Sequence, residues 1–389
     1  MEENAVNVAQ SVETLSVRRD TLAPYSLDTL VSGAARLRPA AIAFADRVNA
    51  LPFGLVATQI AALARIFADC GLQPGERIVL VGGAEANVAT AAIAALRGGF
   101  VPALAPVDLD TSALAAYAEA TGAAAIAGPA TYGDLAPLET CLQAAAAVPS
   151  IRLVANFSSE DHDGAIGVSP GAILQYAAQH PDLGLERGKP LPAEPPPLIT
   201  YDRHRARPVL HRQATLITAG LDFVARARIG RVTPILSTLP PVSCAGFVAG
   251  PCAALLSGAT LYLHGPFSEE DFLAARNQME SAHLVLPVAL ASDFAGIFDG
   301  LASAVLVSRL AGGETFAPPP VLDAPCPIVD LYAIDETGVI AEPRRNSMPA
   351  APALEPHFIG FEESRILTVE QAAEADGRLI FRGAAVTAD

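Results

Sequence analysis

Basic side chains are concentrated between residues 198 and 212, and their types indicate contact with an anion. The arginines of this segment are Arg203, Arg205, Arg207 and Arg212. No glycine lies between Gly188 and Gly220, although a phosphate is usually cradled by backbone N–H groups of a glycine-rich turn, where no Cβ atom blocks its approach. Arginines hold an anion through side-chain forks instead. The sequence therefore predicts that any anion is bound here by side chains.

The local charge of this segment is opposite to that of the whole chain. The 389 residues carry a formal net charge of −16 at pH 7, which argues against a general nucleic-acid binder. A local reversal of sign focuses anions or an acidic protein surface. Two alternatives stay open: the arginines pair with the chain's own carboxylates, or they dock a phosphate-bearing ligand or a protein partner. Residues 203–212 are accordingly the predicted partner surface.

Other patterns that could carry chemistry favour structural roles. Residues 167–171 match G-x-S-x-G, but the polar sequence before them does not form the strand that a Ser169 nucleophile needs. We expect Ser169 to cap a helix. The acidic run 160–163 offers oxygen ligands for a cation, although a solvated loop is the simpler expectation. Lys189, the chain's one lysine, lies in a linker-like stretch, so we expect it to be solvated. From these patterns we predict no catalytic residue and no metal site.

Helical and strand-like segments alternate along the chain and must position these side chains. Apolar positions recur at helical spacing in 53–70, and an apolar strand at 78–81 follows a turn. Such units predict an α/β fold with two αβ subdomains, in which helices cover both faces of mostly parallel sheets. The predicted parts are an N-terminal segment 1–48, a first subdomain 49–185, a second subdomain 195–325 and a β-rich partial barrel 326–389.

The composition is that of a buried globular protein. Hydrophobic residues make up 51% of the chain and charged residues 17%. No uncharged apolar run is long enough to span a membrane, and the N-terminus is unlike a secretory signal. The five cysteines are widely spaced in apolar sequence. We expect buried, reduced thiols in a cytoplasmic protein.

Seven short motifs follow one another in a fixed order. They are GLQPGERIVL (71–80), AAIAALRGGFVPALAP (91–106), LPPVSCAG (239–246), SGAT (257–260), RLAGGET (309–315), YAIDE (332–336) and GRLIFRG (377–383). In this order they resemble the motifs of the AMP-forming acyl-CoA synthetase and adenylating-enzyme superfamily. The resemblance spans roughly residues 26–389 and implies the fold of the superfamily's N-terminal domain. It also leads us to expect that the smaller C-terminal domain is absent.

The departures from these motifs fall on the superfamily's chemistry. The resemblance implies a phosphate loop T-S-G-T-T-G-x-P-K, of which only Thr200 and Pro208 remain. Ser243 replaces a histidine, and Asp335 replaces a threonine beside the retained Glu336, which the resemblance makes either a Mg²⁺ ligand or a structural hydrogen-bond acceptor. The residues implied to lie near a nucleotide or acyl ligand are Thr200, Arg203, Arg205, Arg207, Gly312, Gly313, Glu314, Tyr332 and Glu336.

Three functions remain as alternatives. The altered loop, the single lysine and the expected lack of a C-terminal domain favour a degenerate, non-catalytic homologue that acts as a binding or complex subunit. The second alternative is a residual carboxylate-activating enzyme, forming an acyl-adenylate or acyl-CoA, that works with a separate C-terminal domain or partner. The third is a protein that binds an acyl or nucleotide ligand without turnover. We expect no cofactor, and ATP, AMP or CoA are the candidates if one binds.

Overall fold

The computed structural model describes residues 22, 25–183, 194–310, 318–360, 365–373 and 379–387. The helices are α1 (Leu27–Leu37), α2 (Phe53–Asp69), α3 (Ala86–Arg97), α4 (Thr111–Thr121), α5 (Pro137–Ala147), α6 (Pro170–Gln179), α7 (Gln213–Ala227), α8 (Cys244–Phe247), α9 (Ala253–Ser257) and α10 (Glu269–Asn277). A π-helical turn, Val248–Cys252, joins α8 to α9, and 3₁₀ turns lie at Val288–Leu290 and Ala295–Ile297.

The strands alternate with these helices through most of the chain. They are β1 (Ile42–Ala45), β2 (Ala50–Pro52), β3 (Arg77–Gly82), β4 (Val101–Pro106), β5 (Ala123–Gly128), β6 (Leu153–Asn156), β7 (Ile166–Gly167), β8 (Leu198–Asp202), β9 (Arg207–His211), β10 (Ile235–Ser237), β11 (Leu261–Leu263), β12 (His283–Pro287), β13 (Ser303–Leu310), β14 (Ile328–Ile334), β15 (Gly338–Pro343), β16 (His357–Ile359), β17 (Ile366–Ala373) and β18 (Leu379–Arg382).

Two large sheets and one small sheet account for these strands. The first sheet has the order β7-β6-β5-β3-β4-β8-β9 and the second β15-β14-β13-β12-β10-β11-β1-β2. Both are parallel except at their edges, where β8–β9, β14–β15 and β1–β2 are antiparallel pairs. The small sheet, β16-β17-β18, is antiparallel. This arrangement confirms the predicted α/β class with mostly parallel sheets.

Strand side chains alternate between two cores, which places helices on both faces of each large sheet. Ile78 and Leu80 of β3 belong to a core that also contains Val285 of β12. One apolar core therefore joins the facing sides of the two large sheets and includes the helices between them. Val79 of β3 faces the opposite way, into a core with Leu114 of α4. Successive apolar residues in a strand are expected where both faces are covered. The outer face of the second sheet packs in the same manner against α10.

The sheets cross the predicted boundaries of the domains at three points. The hairpin β8–β9, within the predicted second subdomain, belongs to the first sheet, whereas β1–β2 from the N-terminal segment join the second sheet. The pair β14–β15, predicted to open the β-rich barrel, extends the second sheet as well. Its apolar strand β14 lies parallel to β13 over its whole length, and the turns after Pro325 hid this continuation from the sequence pattern.

Several smaller expectations can be compared with the fold. Ser169 caps α6 by accepting the N–H of Ala172, as expected. Four cysteines are buried, but Cys70 is exposed, contrary to expectation, because it ends α2 where the chain turns. In the described part of the chain, no helix combines the length and the apolar character needed to cross a membrane. That part also contains no group of three or more acidic, His or Cys side chains arranged to hold a metal ion.

Replacing Arg344 by Met should strongly destabilise the second sheet. Its guanidinium holds both carboxylate oxygens of the buried Asp330 at 2.8 Å, and breaking a buried pair costs about 3–5 kcal/mol because one charge is left unpaired. Urea unfolding measures this loss. Combining Arg344→Met with Asp330→Asn should recover part of it, whereas Arg65→Met, at an exposed pair with Asp69, should change little. Equal effects of both single changes would contradict this assignment.

Candidate functional site

Thr200 lies at the centre of a buried polar network between the two large sheets. Because side chains alternate along β8, Tyr201 enters the outer core while Thr200 and Asp202 face the other way. The Thr200 hydroxyl lies 2.9 Å from Nε2 of His211 on β9 and hydrogen-bonds with the carboxyl of Glu336. The hairpin of the first sheet therefore contacts the motif glutamate that follows β14 in the second sheet.

Glu336 has an unusual electrostatic environment for a carboxyl group. One oxygen, Oε2, accepts the N–H of Cys244 at 2.7 Å, at the start of the short helix α8. Burial raises the pKa of Glu336 to about 7, and the negative charges of Asp202 and Asp335 act in the same direction, while the hydrogen bonds from Cys244 and Thr200 oppose the shift. Near neutral pH the group can therefore either hold or release a proton.

The guanidinium of Arg205 bridges the two aspartates beside Glu336. Its Nη1 lies 3.1 Å from Asp202 and 2.9 Å from Asp335. The second oxygen of Asp335, Oδ1, accepts a hydrogen bond from Nη2 of Arg309 at 2.8 Å. Oδ1 of Asp202 also accepts the backbone N–H groups of His204 and Arg205, so the carboxylate shapes the turn that carries the arginine. The cluster is an internal ion-pair network across the two sheets.

Two other arginines of the predicted anion segment, Arg203 and Arg212, also have acidic partners. Arg203 pairs with Asp108, and Arg212 pairs with Glu194 at 3.2 Å. Residues 198–211 form a β-hairpin rather than the loop that the sequence suggested. Of the two alternatives for these arginines, pairing with the chain's own carboxylates is present in the structure. Docking of a ligand or partner stays a prediction.

His211 extends the network toward the last described residues. Its Nδ1 lies 2.8 Å from the hydroxyl of Thr387, whose backbone N–H donates to the carbonyl of Thr337. Burial lowers the pKa of His211 to about 4, so the ring is neutral near pH 7. A neutral ring can donate from one nitrogen and accept at the other, which matches a residue with a hydroxyl on each side.

Other motif residues have different surroundings. Tyr332 is buried in a small core with Ile340 and Val369, and its hydroxyl donates to the Ala350 carbonyl at 2.7 Å. Ser243 caps α8 by accepting the N–H of Gly246. Gly312, Gly313 and Glu314 lie outside the described residues. The contacts that sequence reasoning missed are those of His211, Cys244 and Thr387, because two of them join residues 92 and 176 positions apart in the sequence.

Replacing Glu336 by Gln should remove a pH-dependent cost to stability. The folded pKa is raised from 4.5 to about 7, so stability present at low pH is lost as pH rises through that window. The variant does not titrate, and we expect its stability relative to wild type to increase between pH 4.5 and 7. Urea unfolding over this range is the measurement, with exposed Glu355→Gln as the control. Parallel pH profiles for wild type and Glu336→Gln would disprove the assignment.

Known structures share this fold over nearly the whole chain, although no protein-family profile and no curated protein sequence matches it. Apo MbtA from Mycobacterium smegmatis is 20% identical, with a TM-score of 0.70 over 97% of this chain and 70% of that one. ATP-bound MatB from Rhodopseudomonas palustris is 15% identical, with a TM-score of 0.67 over 92% of this chain and 71% of that one. A benzoate CoA ligase from Burkholderia xenovorans is 14% identical, with a TM-score of 0.60 over 92% and 80%. The chain therefore has the fold of the N-terminal domain of AMP-forming acid ligases.

Proposed function

We propose that the chain is a ligase-like binding protein that accommodates a carboxylic acid or an acyl-adenylate-type ligand and does not adenylate an acid on its own. The observation that carries this proposal is the pairing of Arg205 with Asp202 and Asp335 beside Glu336. The resemblance implies a glycine-rich phosphate loop at this hairpin. The fold supports ligand binding, but fold alone does not carry activity over.

Triphosphate binding at the hairpin would have to disrupt this network. The backbone N–H groups of His204 and Arg205 are engaged by the carboxylate of Asp202, and the Arg205 guanidinium is held between two buried carboxylates. Displacing Arg205 would leave the buried carboxylates without this partner, which is unfavourable for buried charges. The hairpin therefore offers a phosphate few unengaged donors, and its neighbouring carboxylates repel a polyanion.

Mg²⁺, the metal that the superfamily implies, does not fit these residues as they are placed. The Glu336 carboxyl already accepts from Cys244 and Thr200, while the two nearby aspartates bind arginines. Hard cations need several oxygen ligands around one point. We therefore derive no step through a metal ion.

A protein partner completes the proposal. Groups that offset charge on a transferring phosphate would have to come from outside the described residues, and we propose that a partner protein supplies them. The exposed Arg203 and Arg212 lie on the same hairpin or directly after it, in a protein with a net charge of −16. Basic side chains on an acidic protein favour an acidic surface of such a partner.

A residual carboxylate-activating enzyme is the second candidate. It is favoured by one observation: Thr200 and Glu336, which match the superfamily's motifs, contact each other across the two sheets. For this function Arg205 would have to leave the aspartates when the nucleotide binds. The isolated chain would then depend on a partner for its remaining catalytic groups.

ATP–pyrophosphate exchange separates the two candidates. We expect no acid-dependent exchange with a broad panel of carboxylic acids, either by the chain alone or by the chain mixed with a separately expressed acid-ligase C-terminal domain, because each lost preorganised donor costs about 10²–10³ in rate. Acyl-sulfamoyladenosine analogues of the same acids should nevertheless raise the melting temperature. Exchange at rates typical of enzymes would establish the second candidate. An absence of both exchange and analogue binding would remove both candidates.

The partner proposal has its own test in a double variant, Arg203→Gln with Arg212→Gln. Both side chains are exposed, so the fold should be retained while the basic surface is lost. We expect weaker binding to a separately expressed acid-ligase C-terminal domain at low salt, where screening is weak. The matched control, Arg65→Gln with Arg152→Gln, removes two exposed arginines elsewhere. Equal binding by both double variants would exclude the hairpin as the docking surface.

A further inference from the structure

A second group of buried charges lies where the small sheet packs on α7 and β15. His357 of β16 is buried. Its Nδ1 lies 3.1 Å from Oδ2 of Asp222 on α7, and its Nε2 lies 2.9 Å from Oε1 of Glu342 on β15. One imidazole ring thus touches a carboxylate on each of two elements that support the small sheet.

Asp222 and Glu342 have further hydrogen-bond and ion-pair partners besides His357. Oδ1 of Asp222 accepts the hydroxyl of Thr368 on β17 at 3.0 Å. Oε1 of Glu342 also accepts the N–H of Ala353 at 2.7 Å. Arg226 lies 3.4 Å from Asp222 and 3.8 Å from Glu342. The charged groups that face His357 in the described structure are therefore Asp222 and Arg226 on α7 and Glu342 on β15, whereas β17 contributes a neutral hydroxyl.

Counting donors shows that this cluster contains an extra proton. A neutral imidazole has one N–H, and ionised carboxylates are acceptors only, so two ring nitrogens cannot both bond to carboxylates unless the ring is doubly protonated or one carboxyl group holds the proton. The Thr368 hydroxyl cannot supply it, because it donates to the other oxygen of Asp222. With the ring protonated, two positive groups balance two negative ones, which is the arrangement that buried charges require.

We propose that His357 is a proton-dependent clamp: the protonated ring fastens the small sheet to α7 and β15, and loss of that proton weakens the attachment. The clamp joins β16 to the preceding strand β15 and to α7, where Asp222 lies 135 positions away in the sequence. His357 precedes Thr387 in the sequence. Thr387 follows the small sheet and contacts His211 of the candidate site. The proposal does not depend on the function assigned to that site.

The direction of the pH dependence follows from the shift of this group. Burial disfavours the charged ring, but the hydrogen bonds to Asp222 and Glu342 and their negative charges outweigh it and raise the pKa of His357 above its usual value of 6.5. A raised folded pKa contributes stability that is complete below the unfolded pKa and is lost as pH rises through the folded pKa. The small sheet should therefore detach more readily at alkaline pH.

Asp222→Asn is the variant that tests the clamp with the least change in shape. The Asn carbonyl can replace Oδ1 and accept from Thr368 and Arg226, while its amide can donate to Nδ1 of His357. A neutral ring then donates from Nε2 to Glu342, and every contact is kept without the extra proton. His357→Gln is the second variant, which removes the titrating ring.

Hydrogen exchange of β17 amides relative to β13 amides, corrected for intrinsic rates, measures the attachment. For the wild type we expect the opening constant of the small sheet to rise by up to about tenfold per pH unit above pH 6.5 and then level off. Both variants should lack this rise. An equal rise in Asp222→Asn would overturn the proposal. Imidazole ¹⁵N NMR of the wild type gives an independent answer: both ring nitrogens of His357 must be protonated at pH 6.5, and a neutral ring there refutes the clamp.

Discussion

A single guanidinium group joins the two large sheets at the point where their chemistry-bearing residues meet. Arg205 reaches from the β8–β9 turn to Asp202 at the end of β8 and to Asp335 just after β14. Ligands of open α/β sheets gather at the carboxyl ends of parallel strands, and here those ends present carboxylates from both sheets. Without a cation between them these carboxylates would repel one another. The arginine therefore offsets carboxylate charge at the inter-sheet junction, together with Arg309, and limits what can bind there.

The hydrogen bonds beside this ion pair have a direction that depends on Glu336. Thr200 has one hydroxyl proton, so it can donate to Glu336 or to His211 but not to both. When Glu336 is ionised, Thr200 donates to it and accepts from Nε2 of His211, and Nδ1 then accepts from Thr387. A protonated Glu336 can instead donate to Thr200, in which case Thr200 donates to Nε2 of His211 and the other His211 tautomer donates from Nδ1 to Thr387. With the pKa of Glu336 raised to about 7, both arrangements are accessible near neutral pH.

The fold could be predicted from the sequence because its signals are local. The apolar runs of the buried strands and the order of the short motifs indicate mostly parallel sheets without any knowledge of contacts. The hairpin was missed because arginine and histidine in alternation look like a solvated loop. Thr200 and His211 come within hydrogen-bonding distance as diagonal neighbours in the antiparallel register. The cluster of Asp222, Glu342 and His357 had no signal at all, since its members come from three elements separated by more than a hundred residues in one case.

Two buried histidines, His357 in the small sheet and His211 beside the segment that follows it, have opposite requirements for a proton. His357 must hold its extra proton to satisfy two carboxylates, whereas His211 must stay neutral between two hydroxyls because burial lowers its pKa to about 4. Lowering the pH below the ordinary histidine value therefore works against the His211 contact, and raising the pH above it works against the His357 contact. The small sheet and the segment that follows it are consequently best attached near pH 6.5. Thr387 contacts the candidate site through His211. The segment that carries Thr387 is therefore held less well at low pH, where His211 gains a proton, and at high pH, where His357 loses one.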